Sequence, residues 1–122
     1  MGDPRHELGH AAEDAVAAWL TAAGWRVIRR RVRSAGGGEV DLVALDPSET
    51  LVAIEVRARR TVRTGRAATS VDARRVGRLG RTLAAVAAEC GDRHRGLRID
   101  LVSAEPSGEP GCWRVTRMPG IG

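Results

Sequence analysis

A chain of 122 residues is long enough to bury one hydrophobic core and too short for two, so residues 1–122 are expected to form a single domain. Phe and Tyr are absent and three tryptophans are the only aromatic side chains, which argues against the base-stacking platforms of many single-strand-binding proteins. The formal net charge of +5 favours a polyanionic partner, nucleic acid before an anionic membrane surface.

No stretch of the chain approaches the ~20 consecutive apolar residues that a membrane crossing needs. The first residues carry charges and contain no apolar signal segment. We therefore expect a cytoplasmic protein that has no membrane partner.

The first predicted element is a helix over Leu8–Ala23. Its apolar residues recur at helical spacing, and Gly24 follows them as a residue that commonly ends helices. Glu13 lies at the border of this apolar stripe, whereas a solvated glutamate would normally lie further from it. We therefore expect Glu13 to lie near the face that packs on the rest of the domain.

Three strands are predicted next. Trp25–Val32 is the first, and a turn over residues 34–38 follows, in which three glycines let the backbone approach a ligand closely. Val40–Leu45 and Leu51–Val56 are short β-branched runs joined by the turn-forming residues 46–50. Because this link is short, the two runs are expected to pair as an antiparallel hairpin.

The rest of the chain predicts a basic loop, a helix and two strands. Residues 59–69 show no apolar periodicity and are expected to form a mobile loop. A helix is predicted from about Asp72 to Cys90, with Ser70 or Asp72 as its N-cap. Leu97–Val102 and Trp113–Met118 complete the predicted order of helix, three strands, helix and two strands.

Two carboxylates of the hairpin are predicted to share one face of the sheet. Side chains alternate along a strand, so Asp41 lies on the same side as Glu39, and Glu55 on the same side as Arg57. If the register places Asp41 opposite Glu55, their Cβ atoms lie about 5 Å apart, close enough for both to contact one cation. Burial of unpaired carboxylates is costly unless a cation compensates them. We therefore predict a Mg²⁺ or Mn²⁺ site with hard oxygen ligands.

Glu13 offers a third carboxylate to this metal region. It would reach the metal, or bind a second ion, if the first helix packs on the charged face of the sheet. A plainer interpretation also stays open, in which Glu55 forms only a surface ion network with Arg57 or Arg59.

The arginines are candidates for binding nucleic-acid phosphates. Arg74, Arg78 and Arg81 share one face of the second predicted helix, which suits a solvated surface and a phosphate-binding surface equally well. Beside an acidic metal site, phosphate binding becomes the favoured interpretation. The predicted nucleic-acid-binding residues are Arg59, Arg60, Arg63, Arg66, Arg74 and Arg78.

These motifs resemble the YraN-like family of small bacterial proteins and, through it, the PD-(D/E)xK nuclease superfamily, which includes archaeal Holliday junction resolvases. The resemblance covers nearly the whole chain. It implies an α/β fold of the restriction-endonuclease-like type, with three layers and a mixed central β-sheet flanked by helices. The segments that carry it are Gly9–Leu20, Gly38–Ala44, Val52–Arg59, Val71–Arg75 and Arg98–Val102.

The resemblance also implies roles for particular residues. By position, Asp41 and Glu55 would be metal ligands, and Arg57 would occupy the place of the superfamily lysine. Glu13 would match the helix glutamate of resolvase-like members and join the catalytic and metal-binding set. Three further residues match family positions with less defined roles: Glu39, Arg59 and Asp100.

The implied activity is a Mg²⁺-dependent DNA endonuclease that hydrolyses phosphodiester bonds and selects branched DNA. A homodimer is expected in that case, because resolvases need two sites to cut two strands. Arg57 makes a weak enzyme the expectation, since arginine stays protonated and offers only charge and fixed hydrogen bonds, whereas lysine can shift its pKa. The second hypothesis is a nuclease-like scaffold that binds DNA or RNA without cutting it. The third is a protein-interaction role.

Overall fold

The computed structural model describes residues 4–58, 72–91 and 93–121. These ranges contain helix α1 (Pro4–Ala22), strands β1 (Arg26–Val32), β2 (Val40–Leu45) and β3 (Thr50–Ala58), helix α2 (Ala73–Glu89), and strands β4 (Gly96–Pro106) and β5 (Trp113–Met118). The predicted order of elements is confirmed. Neither helix in these ranges has the length and hydropathy that a bilayer crossing requires. Four arginines of the predicted basic loop lie outside the described residues: Arg59, Arg60, Arg63 and Arg66.

The strands form one mixed sheet in the order β1-β2-β3-β4-β5. β1 with β2, β2 with β3, and β4 with β5 are antiparallel pairs, while β3 and β4 run parallel. A parallel pair needs a long connection, and here α2 lies between the two strands in the chain. The predicted α/β class and mixed sheet are confirmed, and β3 occupies the central position of the sheet.

The two helices pack on opposite faces of this sheet. Leu42 and Ile54 belong to the core cluster that includes the apolar residues of α1. Their neighbours along the strands, Val43 and Ala53, belong to the cluster under α2. Because side chains alternate along a strand, the hairpin carboxylates lie on the α2 face. α1 therefore packs on the face without the carboxylates. The condition under which Glu13 would reach the metal, packing of this helix on the charged face, is not met.

The end of α1 and the start of α2 lie at residues that the sequence indicated. Gly24 has φ +91°, and its N–H donates to the Thr21 carbonyl at 3.1 Å while the Trp25 N–H donates to the Leu20 carbonyl at 3.0 Å. This pair of hydrogen bonds is a Schellman motif, which turns the chain from α1 into β1. At α2, where Ser70 or Asp72 is the predicted N-cap, Asp72 takes this role, since its side chain accepts the Arg75 N–H at 2.9 Å.

The glycine turn between β1 and β2 packs closely on α2. Thr82 donates its hydroxyl to the Gly38 carbonyl at 2.7 Å, and Arg81 Nε donates to the Gly36 carbonyl at 3.1 Å. A Cβ atom on Gly37 would lie only 2.3 Å from Thr82 Oγ1, so glycine is required there. The glycines thus let the turn pack closely against α2. This contact fixes the helix beside the start of β2.

Candidate active site

An open pocket of about 420 Å³ lies where β2, β3 and α2 meet. It is lined by Asp41, Glu55, Val56, Arg57 and Arg75. The structure therefore brings together three of the residues that the sequence singled out, Asp41, Glu55 and Arg57. It adds Arg75 from α2, which had been assigned no role.

The register of the hairpin places the two carboxylates side by side. Leu42 pairs with Ile54, so the next position along each strand sets Asp41 opposite Glu55. The Val56 N–H donates to Asp41 Oδ2 at 2.8 Å, and the two carboxyl groups share a hydrogen bond. The condition under which both side chains could contact one cation is met.

Glu55 is almost fully buried, with 4% of its side chain exposed, and its Oε2 accepts a hydrogen bond from Arg75 Nε. Burial opposes ionisation of Glu55, but the hydrogen bond from Arg75 and the one shared with Asp41 outweigh it. The pKa of Glu55 therefore lies below its ordinary value. A buried carboxylate at the centre of the sheet is compatible with folding because Arg75 compensates its charge.

The pKa of Asp41 is shifted in the opposite direction. Burial is the main cause that raises the pKa of Asp41 to about 8, and the hydrogen bond shared with Glu55 adds to it, while the Val56 N–H opposes it. At neutral pH the two carboxyl groups therefore hold one proton between them.

Replacing Asp41 with asparagine is expected to stabilise the metal-free protein more as the pH rises. The pKa of Asp41 is about 8 when folded against an ordinary value of 3.8, so the folded state binds this proton more tightly than the unfolded state. The contribution of Asp41 to the free energy of unfolding is complete below about pH 4 and is lost as the pH rises through about 8. Asparagine does not titrate, so the advantage of D41N should be roughly 4 kcal/mol larger at about pH 8.5 than at about pH 5.

Urea unfolding in the presence of a chelator measures this difference. Asp14→Asn is the matched control, because Asp14 is exposed and pairs with Arg30 at the surface. It should change the free energy of unfolding by no more than about 1 kcal/mol at either pH. A D41N curve parallel to wild type would show that Asp41 ionises normally in the folded protein.

Arg57 enters the pocket from β3, two residues after Glu55. Its Nε lies buried and has no hydrogen-bond partner within the part of the chain that the structure describes. Its charge helps to lower the pKa of Glu55. A buried N–H with no protein acceptor in those ranges is suited to an anionic ligand oxygen.

Glu13 does not line the pocket. Its Oε1 accepts a hydrogen bond from Arg31 Nε at 2.8 Å, and 12% of its side chain is exposed. Its charge contributes to the raised pKa of Asp41, so the two residues interact electrostatically. In this structure Glu13 is held by Arg31 rather than placed among the pocket residues.

The donor set fits a hard divalent cation that keeps most of its own water. Asp41 and Glu55 supply carboxylate oxygens, which Mg²⁺ and Mn²⁺ prefer. Over residues 4–58, 72–91 and 93–121, no three His, Cys, Asp or Glu side chains gather into a metal-holding group. The residues present therefore suit a cation that completes its coordination with water and phosphate oxygens.

Basic side chains of α2 lie next to the pocket. Arg74 is exposed in the first turn, and Arg78 is half-buried one turn later, where a Cβ atom on Gly38 would lie 3.3 Å from the Arg78 Cβ. These two predicted nucleic-acid-binding residues thus share one side of the helix. Arg81 differs, because its guanidinium donates to the glycine turn.

Arg75 could have been found from the sequence. It precedes the buried Leu79 by four residues, and residues four apart lie on the same face of a helix. A cation that extends a buried apolar stripe needs a buried partner. This was the signal for a contact with one of the hairpin carboxylates.

Two other positions singled out by the sequence lie outside the pocket. Glu39 accepts a hydrogen bond from Arg33 at 3.1 Å in an exposed ion pair. Asp100 is fully buried in β4 and accepts hydrogen bonds from Arg98, Arg117 and the Gly120 N–H. Both carboxylates are satisfied by protein groups at those places.

Residues 12–104 match the model of a family described as Uncharacterised protein family UPF0102. A UPF0102 protein of Symbiobacterium thermophilum is 40% identical over 99 residues, which cover 81% of this chain and 82% of that protein. A UPF0102 protein of Deinococcus radiodurans is 37% identical over 113 residues, 92% of this chain and 91% of that protein. One of Beutenbergia cavernae is 36% identical over 115 residues, 94% of this chain and 95% of that protein. The segment matched by the family model contains every pocket residue.

Proposed function

The chain belongs to the UPF0102 family, which confirms the family resemblance, and we propose that it is a DNA endonuclease dependent on Mg²⁺ or Mn²⁺. The observation that carries the proposal is the shared pocket of Asp41 and Glu55, two carboxylates on adjacent strands facing two guanidinium groups. Carboxylates suit a hard cation and guanidiniums suit a phosphate, which are the two partners that phosphodiester hydrolysis requires.

The three-layer nuclease architecture is part of this proposal. A five-stranded mixed sheet with one helix on each face supports a single domain of the restriction-endonuclease-like, PD-(D/E)xK type. In that fold Asp41 and Glu55 are the proposed metal ligands and Arg57 stands in the lysine place. Glu13 remains the proposed outer member of the set and acts through its charge on Asp41.

The two carboxylates and Arg57 have different tasks in the proposed reaction. Asp41 and Glu55 would hold the cation, which when bound would supply a water of lowered pKa and charge to stabilise the phosphoryl oxygens. Arg57 donates its unpartnered Nε–H to a phosphate oxygen and orients the phosphodiester. Because arginine stays protonated, Arg57 removes no proton from the attacking water.

The net charge of +5 and the position of Arg74 and Arg78 support nucleic acid as the substrate. Both arginines lie on α2, which borders the pocket through Arg75. The proposed binding surface also includes Arg59, Arg60, Arg63 and Arg66, which follow β3 in the chain. Selection of branched DNA and action as a homodimer belong to the proposal through the family resemblance.

A second function has its own support. Arg75 already compensates Glu55, and Arg57 stands where a lysine would serve catalysis. The pocket therefore needs no metal to offset its carboxylates, which suits a nuclease-fold module that binds nucleic acid and does not cut it. In that case phosphates bind to the guanidiniums alone, and affinity falls steeply with salt.

Cleavage of labelled four-way junction, duplex and single-stranded DNA in Mg²⁺, Mn²⁺ or chelator tests both functions. Metal-dependent cutting, most efficient on the junction, is expected for the endonuclease. Binding that persists in chelator without cutting would favour the binding module. If the protein neither binds nor cuts any of the three substrates, both functions are contradicted.

Replacing Arg57 with lysine is expected to raise the single-turnover cleavage rate by roughly 10-fold or more. Lysine in a pocket beside a cation and another guanidinium can lose its proton and accept one from the attacking water, and general-base catalysis typically contributes 10²-fold or more. Arg95→Lys, in an exposed ion pair with Glu49, is the matched control and should cut at the wild-type rate. A slower R57K would show that the planar guanidinium is needed for phosphate binding and that base catalysis does not limit the reaction.

A further inference from the structure

Arg75 links the first turn of α2 to the buried carboxylate of β3. Its backbone N–H is held by the N-cap Asp72 at 2.9 Å, which fixes the start of the helix. Its guanidinium bonds to Glu55 Oε2, and 37% of the Arg75 side chain is exposed, against 4% for Glu55. Arg75 is therefore the solvent-facing member of this ion pair.

The ion pair uses a lone pair that a cation would need. Two guanidiniums line the pocket beside the two carboxylates, so the carboxylates leave no excess negative charge to attract a divalent ion. Glu55 Oε2 is already an acceptor for Arg75. A cation that binds both carboxylates therefore competes with Arg75 for Glu55.

Arg57 does not hold Glu55 in this way. Its Nε donates to no acceptor in the described ranges, and it acts on Glu55 through charge. Removal of Arg57 would leave the Arg75–Glu55 hydrogen bond in place. Removal of Arg75 is therefore expected to affect metal binding differently from removal of Arg57.

We propose that Arg75 is a positioning residue that exchanges partners, holding Glu55 in the metal-free protein and moving to a phosphodiester oxygen when nucleic acid binds. The exchange frees Glu55 for the cation. A phosphodiester is the partner that fits, because its oxygens accept the parallel N–H groups of a guanidinium. This inference rests on the proposed function, and it adds that metal and nucleic acid tighten each other's binding through Arg75.

The first test is Mn²⁺ affinity without nucleic acid, followed by the electron paramagnetic resonance signal of free Mn²⁺. Arg75→Gln is expected to bind Mn²⁺ about 10-fold more tightly than wild type, within the usual range of coupling between sites. Arg95→Gln loses the same charge and should match wild type. Arg95 precedes Gly96, which pairs with Thr50, and Thr50 lies about 16 Å along β3 from Glu55 at roughly 3.3 Å per residue.

The second test measures the affinity for a labelled phosphorothioate oligonucleotide by fluorescence anisotropy, in chelator and in Mn²⁺. Mn²⁺ should tighten binding to wild type by about 10-fold, and by a smaller factor to R75Q, in which Glu55 is already available. An equal factor in both proteins, or an R75Q variant that binds Mn²⁺ no more tightly than wild type, would overturn the exchange.

Folding of the variant does not limit these tests. If R75Q is unfolded in chelator, the rise of its Tm with Mn²⁺ reports the same affinity. A larger rise than in wild type supports the exchange, and a rise no larger than in wild type overturns it. Failure of the exchange and failure of the proposed function are distinguishable. If wild type cleaves DNA but binds Mn²⁺ as tightly as R75Q does, only the exchange is contradicted. If R75Q binds Mn²⁺ more tightly but wild type cleaves no DNA, only the nuclease function is contradicted.

Discussion

Replacing Glu55 with glutamine is expected to reduce metal-dependent cleavage by at least about 1,000-fold while the domain stays folded. Glu55 lies on the central strand, faces Asp41, and supplies one of two proposed carboxylate ligands. Loss of one of two ligands removes the cation from the site, and with it several kcal/mol of transition-state stabilisation, at about 1.4 kcal/mol for each factor of ten. Glutamine keeps the shape of the side chain, and Arg75 is exposed enough to be hydrated.

Single-turnover cleavage with excess enzyme measures this loss, with circular dichroism to verify folding. Glu49→Gln is the control, because Glu49 forms an exposed ion pair with Arg95 and lies outside the pocket. It should cut at the wild-type rate. If E55Q retained more than about a tenth of the activity, the carboxylate pair would not be the metal site, and cleavage would have to be traced to other residues.

Replacing Asp100 with alanine is expected to lower the free energy of unfolding by about 3 kcal/mol, because Arg117 and the Gly120 N–H lose this buried acceptor, while Arg98 keeps its ion pair with Asp46. Asp100 is 0% exposed. It accepts hydrogen bonds from Arg98 at 2.8 and 3.1 Å, from Arg117 at 2.9 Å and from the Gly120 N–H at 3.0 Å. Both guanidiniums also lie over the ring of Trp25, 5.9 and 5.3 Å from its centroid.

Urea unfolding of D100A and D100N measures this contribution. Asparagine can still accept the Gly120 N–H, so D100N should lose less stability than D100A. Asp14→Ala removes an exposed carboxylate paired with Arg30 and should change stability by no more than about 1 kcal/mol. A D100A loss as small as that of D14A would show that the two arginines find other partners. Because Asp100 lies outside the pocket, folded D100N should cut DNA as wild type does.

Local patterns were sufficient for the hairpin. β-branched residues define β2 and β3, and Asp46 begins the turn by accepting the N–H groups of Ser48 and Thr50 at 2.8 and 2.9 Å. A short link leaves only an antiparallel arrangement, and alternation then places Asp41 and Glu55 on one face. These steps depend on residues close together in the chain, so the sequence was enough to predict them.

Strand ends were less predictable. β4 extends to Pro106, four residues beyond the predicted Val102, because Pro106 pairs with Trp113 of β5. β3 likewise extends to Ala58, which pairs with Ala104 of β4. Pairing between strands that are distant in the chain sets these limits, and composition near each end does not reveal it.

By itself, the sequence determined the order of elements, limited the N-cap of α2 to Ser70 or Asp72, and placed Asp41 and Glu55 on neighbouring strands of one hairpin, since each depends on residues close together in the chain. The tertiary structure decided which helix covers the charged face of the sheet. The α2 helix takes that face and α1 the other, so Arg75 reaches Glu55 while Glu13 pairs with Arg31. Both helices carry an apolar stripe and a charged residue near it, and only the packing of segments far apart in the chain selects which charge meets the buried carboxylate.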